Sequence, residues 1–258
     1  MTASLWARSK VGVTRAAVLL GLVAAWEVAG RNGALDPLTW SSPSLIGPEV
    51  GRLVGESEFI WDVESSILNI GYGFSIGLVV GVLVGAGFSR APTAIRGSLL
   101  GWLAAVQGVP FIVFYPVLLT VFGLTRMPIV AIVALVVFIP VTLSVAIGLN
   151  SIPNEYLRLS RVLLLSRRQA ILKIYLPAAV PLVFPGLRLG FSLALISTIG
   201  MEFIVASKGL GFRVAESYHA FAVDQMYAVI AWICAGAIVV NSLLSWVEGR
   251  LRQDAVTS

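Results

Sequence analysis

The chain has 258 residues, of which 58% are apolar and only 12% are charged, with a formal net charge of +5. Soluble globular domains carry about twice that charged fraction, and several apolar runs here are long enough to cross a bilayer. A soluble enzyme is excluded, and a positive balance without aromatic–basic interleaving suits loops facing anionic lipid better than nucleic acid.

Met1–Arg15 carries Arg8, Lys10 and Arg15, and the first apolar run follows at Val11–Gly30. A cleaved signal peptide is the alternative reading, but the run is long and Trp26-Glu27 is a poor approach to a cleavage site. Arg31–Glu64 is a polar stretch with six acids against two arginines, and Ser44–Gly55 reads as a short surface helix within it. Its paucity of basic residues places it outside the cell.

Ser65–Ser89 is the second span, with Gly73, Gly77, Gly81 and Gly85 recurring every four residues. That spacing bares one helix face for close approach by another helix. Ser98–Phe122 is the third span, broken at Gln107-Gly108-Val109-Pro110 and again at Pro116. Proline removes a backbone donor, and irregular backbone at membrane depth is tolerated where it is buried in protein or lines a water-filled cavity. Gln107 and Pro110 are therefore candidates for a pathway, with a packing kink as the competing reading.

Gly123–Pro128 is a turn, and Ile129–Leu149 is the fourth span. Val180–Val205 is the fifth, ending with Ser197, Thr198 and Glu202, further pathway candidates. Glu202 has a second reading, as a structural partner of the Ser207–Gly211 loop. Ala206–Gln225 is expected to be an external loop; its lone His219, beside Glu216 and Asp224, is weak ground for a metal site. Met226–Val247 is the sixth span, and Cys234 within it reads as a small apolar residue.

Between the fourth and fifth spans lies Asn154–Pro185, whose first part holds Arg158, Arg161, Arg167, Arg168 and Lys173 against one acid, Glu155. Tyr156, Leu159 and Leu163, then Ala170 and Ile174, recur three or four residues apart, which predicts two short amphipathic helices. Ser166 caps the second and Pro177 stops it. Six spans put both termini on one side, and thirteen of the eighteen Lys and Arg then share that side with this stretch, which assigns it and the termini to the cytoplasm.

No G-x-x-x-x-G-K-[ST] loop, H-E-x-x-H or G-x-S-x-G is present, and intramembrane ionisable groups are few. That favours a conduit over a catalyst. The basic stretch resembles the cytoplasmic signature of permease subunits of binding-protein-dependent ABC importers, E-A-A, three residues, G, nine residues, I, one residue, L-P. Ile174 and Leu176-Pro177 match; Arg158-Leu159-Ser160 stands at E-A-A and Leu164 at the glycine. Further landmarks are Ser42-Pro43-Ser44, Val109-Pro110 through Tyr115-Pro116, Phe122-Gly123-Leu124, Gly148 through Glu155, Pro181 through Arg188, Glu202, and Lys208-Gly209-Leu210-Gly211. Together they are similar to the nitrate/sulfonate/taurine/bicarbonate branch over about residues 43–252.

The resemblance implies an all-α, type I ABC importer (MetI-like) permease fold of six transmembrane helices in a bacterial inner membrane. Residues 1–63 would form an N-terminal helix and external loop, 64–252 a five-helix core with a coupling loop at 150–178, and 253–258 a short tail. The implied partners are two copies of a cytoplasmic ABC ATPase, which would hold ATP and Mg, a second permease subunit, and a periplasmic solute-binding protein. The chain itself would carry no cofactor. The solute would be small and anionic or zwitterionic.

The coupling residues are then Glu155, Tyr156, Arg158, Leu159, Ser160, Arg161, Leu163, Leu164 and Ser166, in a helix over about Glu155–Ser166. The translocation candidates are Gln107, Pro110, Ser197, Thr198 and Glu202. Leu164 adopts positive φ only at a cost, so the turn is expected to be continuous helix or to lie nearer Leu165-Ser166. Its departure, with that of Arg158, is compatible with a homodimer that tolerates drift or with a heterodimer whose other member carries the standard signature. A secondary transporter or channel working without an ATPase is the alternative, but it calls for polar groups along the midplane and often a repeat; Gln107, Ser197, Thr198 and Glu202 are sparse and the halves show no repeat. A membrane anchor for another enzyme would not require the broken third span.

Overall fold

A computed structural model describes the backbone of residues 2–257, and all side chains except those of 1–12, 154, 157, 159, 161, 167 and 252–258. The described residues form helices and no strands: α1 (Thr2–Arg31), α2 (Pro43–Val54), α3 (Ser57–Ser89), α4 (Thr93–Val106), α5 (Tyr115–Phe122), α6 (Met127–Asn150), α7 (Asn154–Val162), α8 (Arg167–Ala170), α9 (Leu176–Val205), α10 (Leu210–His219) and α11 (Val223–Thr257). Five of these, or six if α4 and α5 are taken as one bent span, are long and apolar enough to cross a membrane.

The centre is α6, uniformly apolar and packed between α3 and α9. Its valines Val133, Val137, Val141 and Val145 repeat every four residues against the four glycines of α3. A Cβ on Gly73 would lie 2.5 Å from Val133 Cγ1, and one on Gly77 only 2.6 Å from the Ala134 carbonyl oxygen. The glycine repeat is therefore a packing seam. A second core gathers Ile46, Leu53, Phe59, Val214, Ala228 and Val229 from α2, α3, α10 and α11. The rest is open: the chain exposes 15989 Å², against roughly 11,000 Å² for a compact monomer of this mass. Apolar faces of that extent mark contact with a membrane or with another protein surface.

Several boundaries differ from those read in the sequence. α3 starts at Ser57, two turns before Ser65, because Phe59 and Asp62 are buried on the same helical face. α4 and α5 are bent by 78° at the Gln107–Pro110 break; at about 1.5 Å per residue neither half spans a bilayer alone. Pro116 does not break the chain again, since it sits in the first turn of α5, where a missing N–H is harmless. Nor does Pro177 stop α8. The helical path runs on through a π-helical turn, Ile171–Tyr175, into α9, and this wider turn precedes a proline whose ring would crowd the carbonyl of residue 173 in a regular helix. The expected loop Ala206–Gln225 contains α10, which folds back so that Arg213, Val214, Ala215 and Ser217 are buried.

Candidate functional site

The basic connection leaves α6 at the end where Arg96 Nη1 donates to Asn150 Oδ1 at 2.6 Å. α7 then forms a short helix ending at Val162, so Leu163 and Leu164 lie in the turn beyond it and the helix does not reach Ser166. Leu164 has φ +48° and is 91% exposed. The turn thus stands at the signature's glycine position, contrary to the expectation of continuous helix or a later turn. Left-handed backbone at a leucine costs about 1–2 kcal/mol, and the Leu165 N–H bond to the Ser160 carbonyl, 3.1 Å, helps close it.

Ser160 is buried, with Oγ 3.0 Å from Tyr175 Oη, which fastens α7 to the π-helical turn. Ser166 does cap α8: its Oγ accepts from the Gln169 N–H at 3.4 Å, and Gln169 Oε1 accepts from the Ser166 N–H at 3.0 Å, a reciprocal capping box. Glu155, Arg158 and Ser166 are exposed and Tyr156 is half-buried. Val162, Leu163 and Leu164 form an exposed apolar tip. The side chains of Leu159 and Arg161 lie outside the described residues.

Near the middle of the bundle, the α4–α5 break opens a cavity of about 310 Å³ against α6 and α9. Gln107, Pro110 and Ser197 line it, together with Phe111, Ile132 and Met201. On α9, residues 193, 197, 200 and 201 share the cavity face. Thr198 is about 100° away around the helix, fully buried, with its hydroxyl unpaired. Glu202, one turn further, is also fully buried and outside the cavity. The apolar liners escaped the sequence reading because nothing distinguishes Ile132 or Met201 from other apolar residues of their spans until the break in α4–α5 selects a face.

Glu202 instead organises the end of the bundle away from α7. Ser66 Oγ donates to it at 2.6 Å, Asn69 Nδ2 at 2.9 Å and the Gly211 N–H at 3.2 Å. Asp62 and Ser66 of α3 accept from the Gly209 and Leu210 N–H groups, each at 2.8 Å. The N-terminus of α10 is thereby held by α3 and α9. Gly209 has φ +117°, and a Cβ there would strike the Glu202 carboxylate. Arg213 completes the cluster, 2.5 Å from Glu56 and within ion-pair distance of Glu58, Asp62 and Glu216. Among the described residues no three His, Cys, Asp or Glu side chains converge as metal ligands.

Residues 77–253 match the family model described as the binding-protein-dependent transport system inner membrane component. The chain is 24% identical to the bicarbonate transport system permease protein CmpB of Synechococcus elongatus, over 89% of this chain and 86% of that protein. It is 26% identical to the taurine transport system permease protein TauC of Escherichia coli, over 95% and 91%. Among solved structures it resembles a chain of the MetNI methionine ABC transporter in an inward-facing conformation, with TM-score 0.55 and 18% identity over 83% of this chain and 99% of that one. A chain of an amino acid ABC transporter crystallised with histidines gives 0.59 and 16%, over 74% and 92%.

Proposed function

The chain belongs to the family of binding-protein-dependent transport system inner membrane components, and from that premise we propose how it moves solute. It is a membrane-spanning permease subunit of an ABC importer. In our reading the membrane is the bacterial inner membrane, with both termini and α7 in the cytoplasm, as the thirteen-to-five division of Lys and Arg favours. Two copies, or this chain and a non-identical partner, enclose the route.

The observation that carries the reading is the bent α4–α5 pair, whose Gln107–Pro110 break opens onto the cavity flanked by α6 and α9. Backbone freed from helical pairing at that depth suits a passage and is costly facing lipid. The tip of α7 supplies the other half of the device. Exposed Leu163 and Leu164 suit an apolar groove on the ATPase, and Ser160–Tyr175 would pass a push on α7 to α9. Closure of two ATPases around ATP then rocks the permease between two packings. ATP and Mg belong to those partners. A periplasmic binding protein docks on the opposite end and presents a small anionic or zwitterionic solute, of the kind named for the bicarbonate and taurine relatives.

The test is uptake into proteoliposomes holding the permease, its ATPase and its binding protein, with taurine, nitrate and bicarbonate as labelled probes. ATP-dependent accumulation of one of them is expected. Accumulation that proceeds equally without the ATPase would assign the chain to secondary transport.

A further inference from the structure

A second cavity, of about 270 Å³, opens where α6 begins, at the end of the bundle away from α7. It is stacked on the first. On α6 it is lined by Ile129, one turn before Ile132; on α9 by Val205, one turn after Met201; and at the start of α5 by Tyr115, one turn after Phe111. A turn is about 5.4 Å, so the two spaces share three walls. Ile129 in the wall of the second cavity, and Ile132 and Met201 in the wall of the first, are exposed by only 5%, 2% and 1%.

Their chemistry differs. The first cavity is lined mostly by apolar side chains. The second holds Arg126 and Lys208 with the hydroxyls of Thr125 and Tyr115, and none of its lining residues is an Asp or Glu. Arg126 stands at the N-cap of α6, a helix of 24 residues, so the positive end of that helix adds to the two side-chain charges. Five cations fall to this end of the molecule, and three are matched by acids: Arg31 by Glu27, Arg52 by Glu49 and Glu56, Arg213 by its four carboxylates. Arg126 and Lys208 take part in none of the ion pairs found among the described residues, and both line one cavity. Glu202, behind Asn69, is already occupied by three donors.

We propose that this cavity is a holding site for one small oxyanion, bound between Arg126 and Lys208 before it passes the isoleucine–methionine layer into the apolar cavity. The proposal rests on the chain being a permease and adds the sign of the solute and the place where it is first held. Two uncompensated cations in a cleft concentrate anions, while the apolar layer beneath keeps the site from being an open channel.

The experiment uses the intact permease–ATPase assembly in lipid nanodiscs, with Cys234→Ser to remove the native thiol and Ser207→Cys as a reporter in the cavity wall. Two methanethiosulfonate reagents are compared, one carrying a sulfonate and one a trimethylammonium group. Each rate is taken relative to the same reagent's rate with free cysteine, and on that scale the sulfonate reagent should react faster by about tenfold or more. Methanesulfonate should protect the thiol saturably at ionic strength held constant with chloride. Arg126→Gln and Lys208→Gln should each weaken that protection, and the double variant should bring the two rates together. Equal rates in the parent protein would overturn the proposal, as would protection that follows ionic strength alone. So would a double variant that labels like the parent but captures the binding protein poorly, which would assign the cations to a protein contact. Loss of ATP dependence in uptake, with labelling preference intact, would instead sink the importer reading and leave the site.

Discussion

The α3–α6 seam and the α7–α8 turn are built on opposite rules. Along the seam, glycines on one helix meet valines on the other every four residues, with no room for a methyl group. At the turn, a leucine stands in backbone that favours glycine, and three consecutive apolar side chains face outward. Interiors packed to that density move as units, whereas an exposed apolar tip is free to meet another surface. The difference separates a wall, made of α3, α6, α9 and α10, from a handle.

Four substitutions can break or sharpen that division. The largest effect is expected at the top of the wall. Glu202→Ala leaves the buried donors of Ser66, Asn69 and Gly211 without an acceptor, at a cost of about 3 kcal/mol or more. The purified protein should melt well below the parent in detergent, and Glu202→Gln should recover part of the loss. A parent-like melt for Glu202→Ala would remove this cluster from the wall.

Gly77→Ala comes next. Its methyl group would lie 2.6 Å from the Ala134 carbonyl oxygen, and overpacking of this kind costs about 1–3 kcal/mol. Gly71→Ala, on the same helix with nothing within 4 Å, should be neutral or slightly stabilising, so the pair reads the seam by difference in melting temperature. If both behave alike, the seam is looser than described.

On the handle, Leu163→Asp should leave folding unchanged, because Leu163 is 55% exposed. It should lower copurification of the ATPase by about tenfold, the equivalent of 1.4 kcal/mol. Unchanged copurification would detach α7 from the coupling role. The smallest effect belongs to Leu164→Gly, which relieves a left-handed leucine and should raise stability by about 1 kcal/mol, read by thermal unfolding. A loss there would mean that the leucine side chain, not the turn, matters at this position.

The spans, the broken third segment and the short surface helix were legible because each rests on a local signal, an apolar run, a Gly–Pro pair or a cap. The reading failed where tertiary packing overrides local preference. Leu164 takes positive φ although a leucine disfavours it, with Ser160 bonding to both Leu165 and Tyr175 around the turn. Pro177 is accommodated by a π-helical turn, which no sequence period announces. Among the candidate pathway residues, Gln107, Pro110 and Ser197 meet in one cavity, while Thr198 is buried outside it and Glu202 bonds to α3 and to the Gly211 N–H of α10. The adjacency of 197 and 198 gave no means of assigning them to different faces until the neighbours of α9 were known. Arg126 and Lys208 are 82 residues apart in the chain, and only the fold brings them to one opening.

The central claim is that work enters this permease through the tip of α7. Leu163→Cys, placed in a Cys234→Ser background and coexpressed with the ATPase, tests it most directly through thiol crosslinking and labelling by a membrane-impermeant maleimide. The account predicts a covalent adduct with the ATPase, and labelling in inverted membrane vesicles but not in intact cells. Labelling from outside intact cells, with no adduct formed, would contradict it.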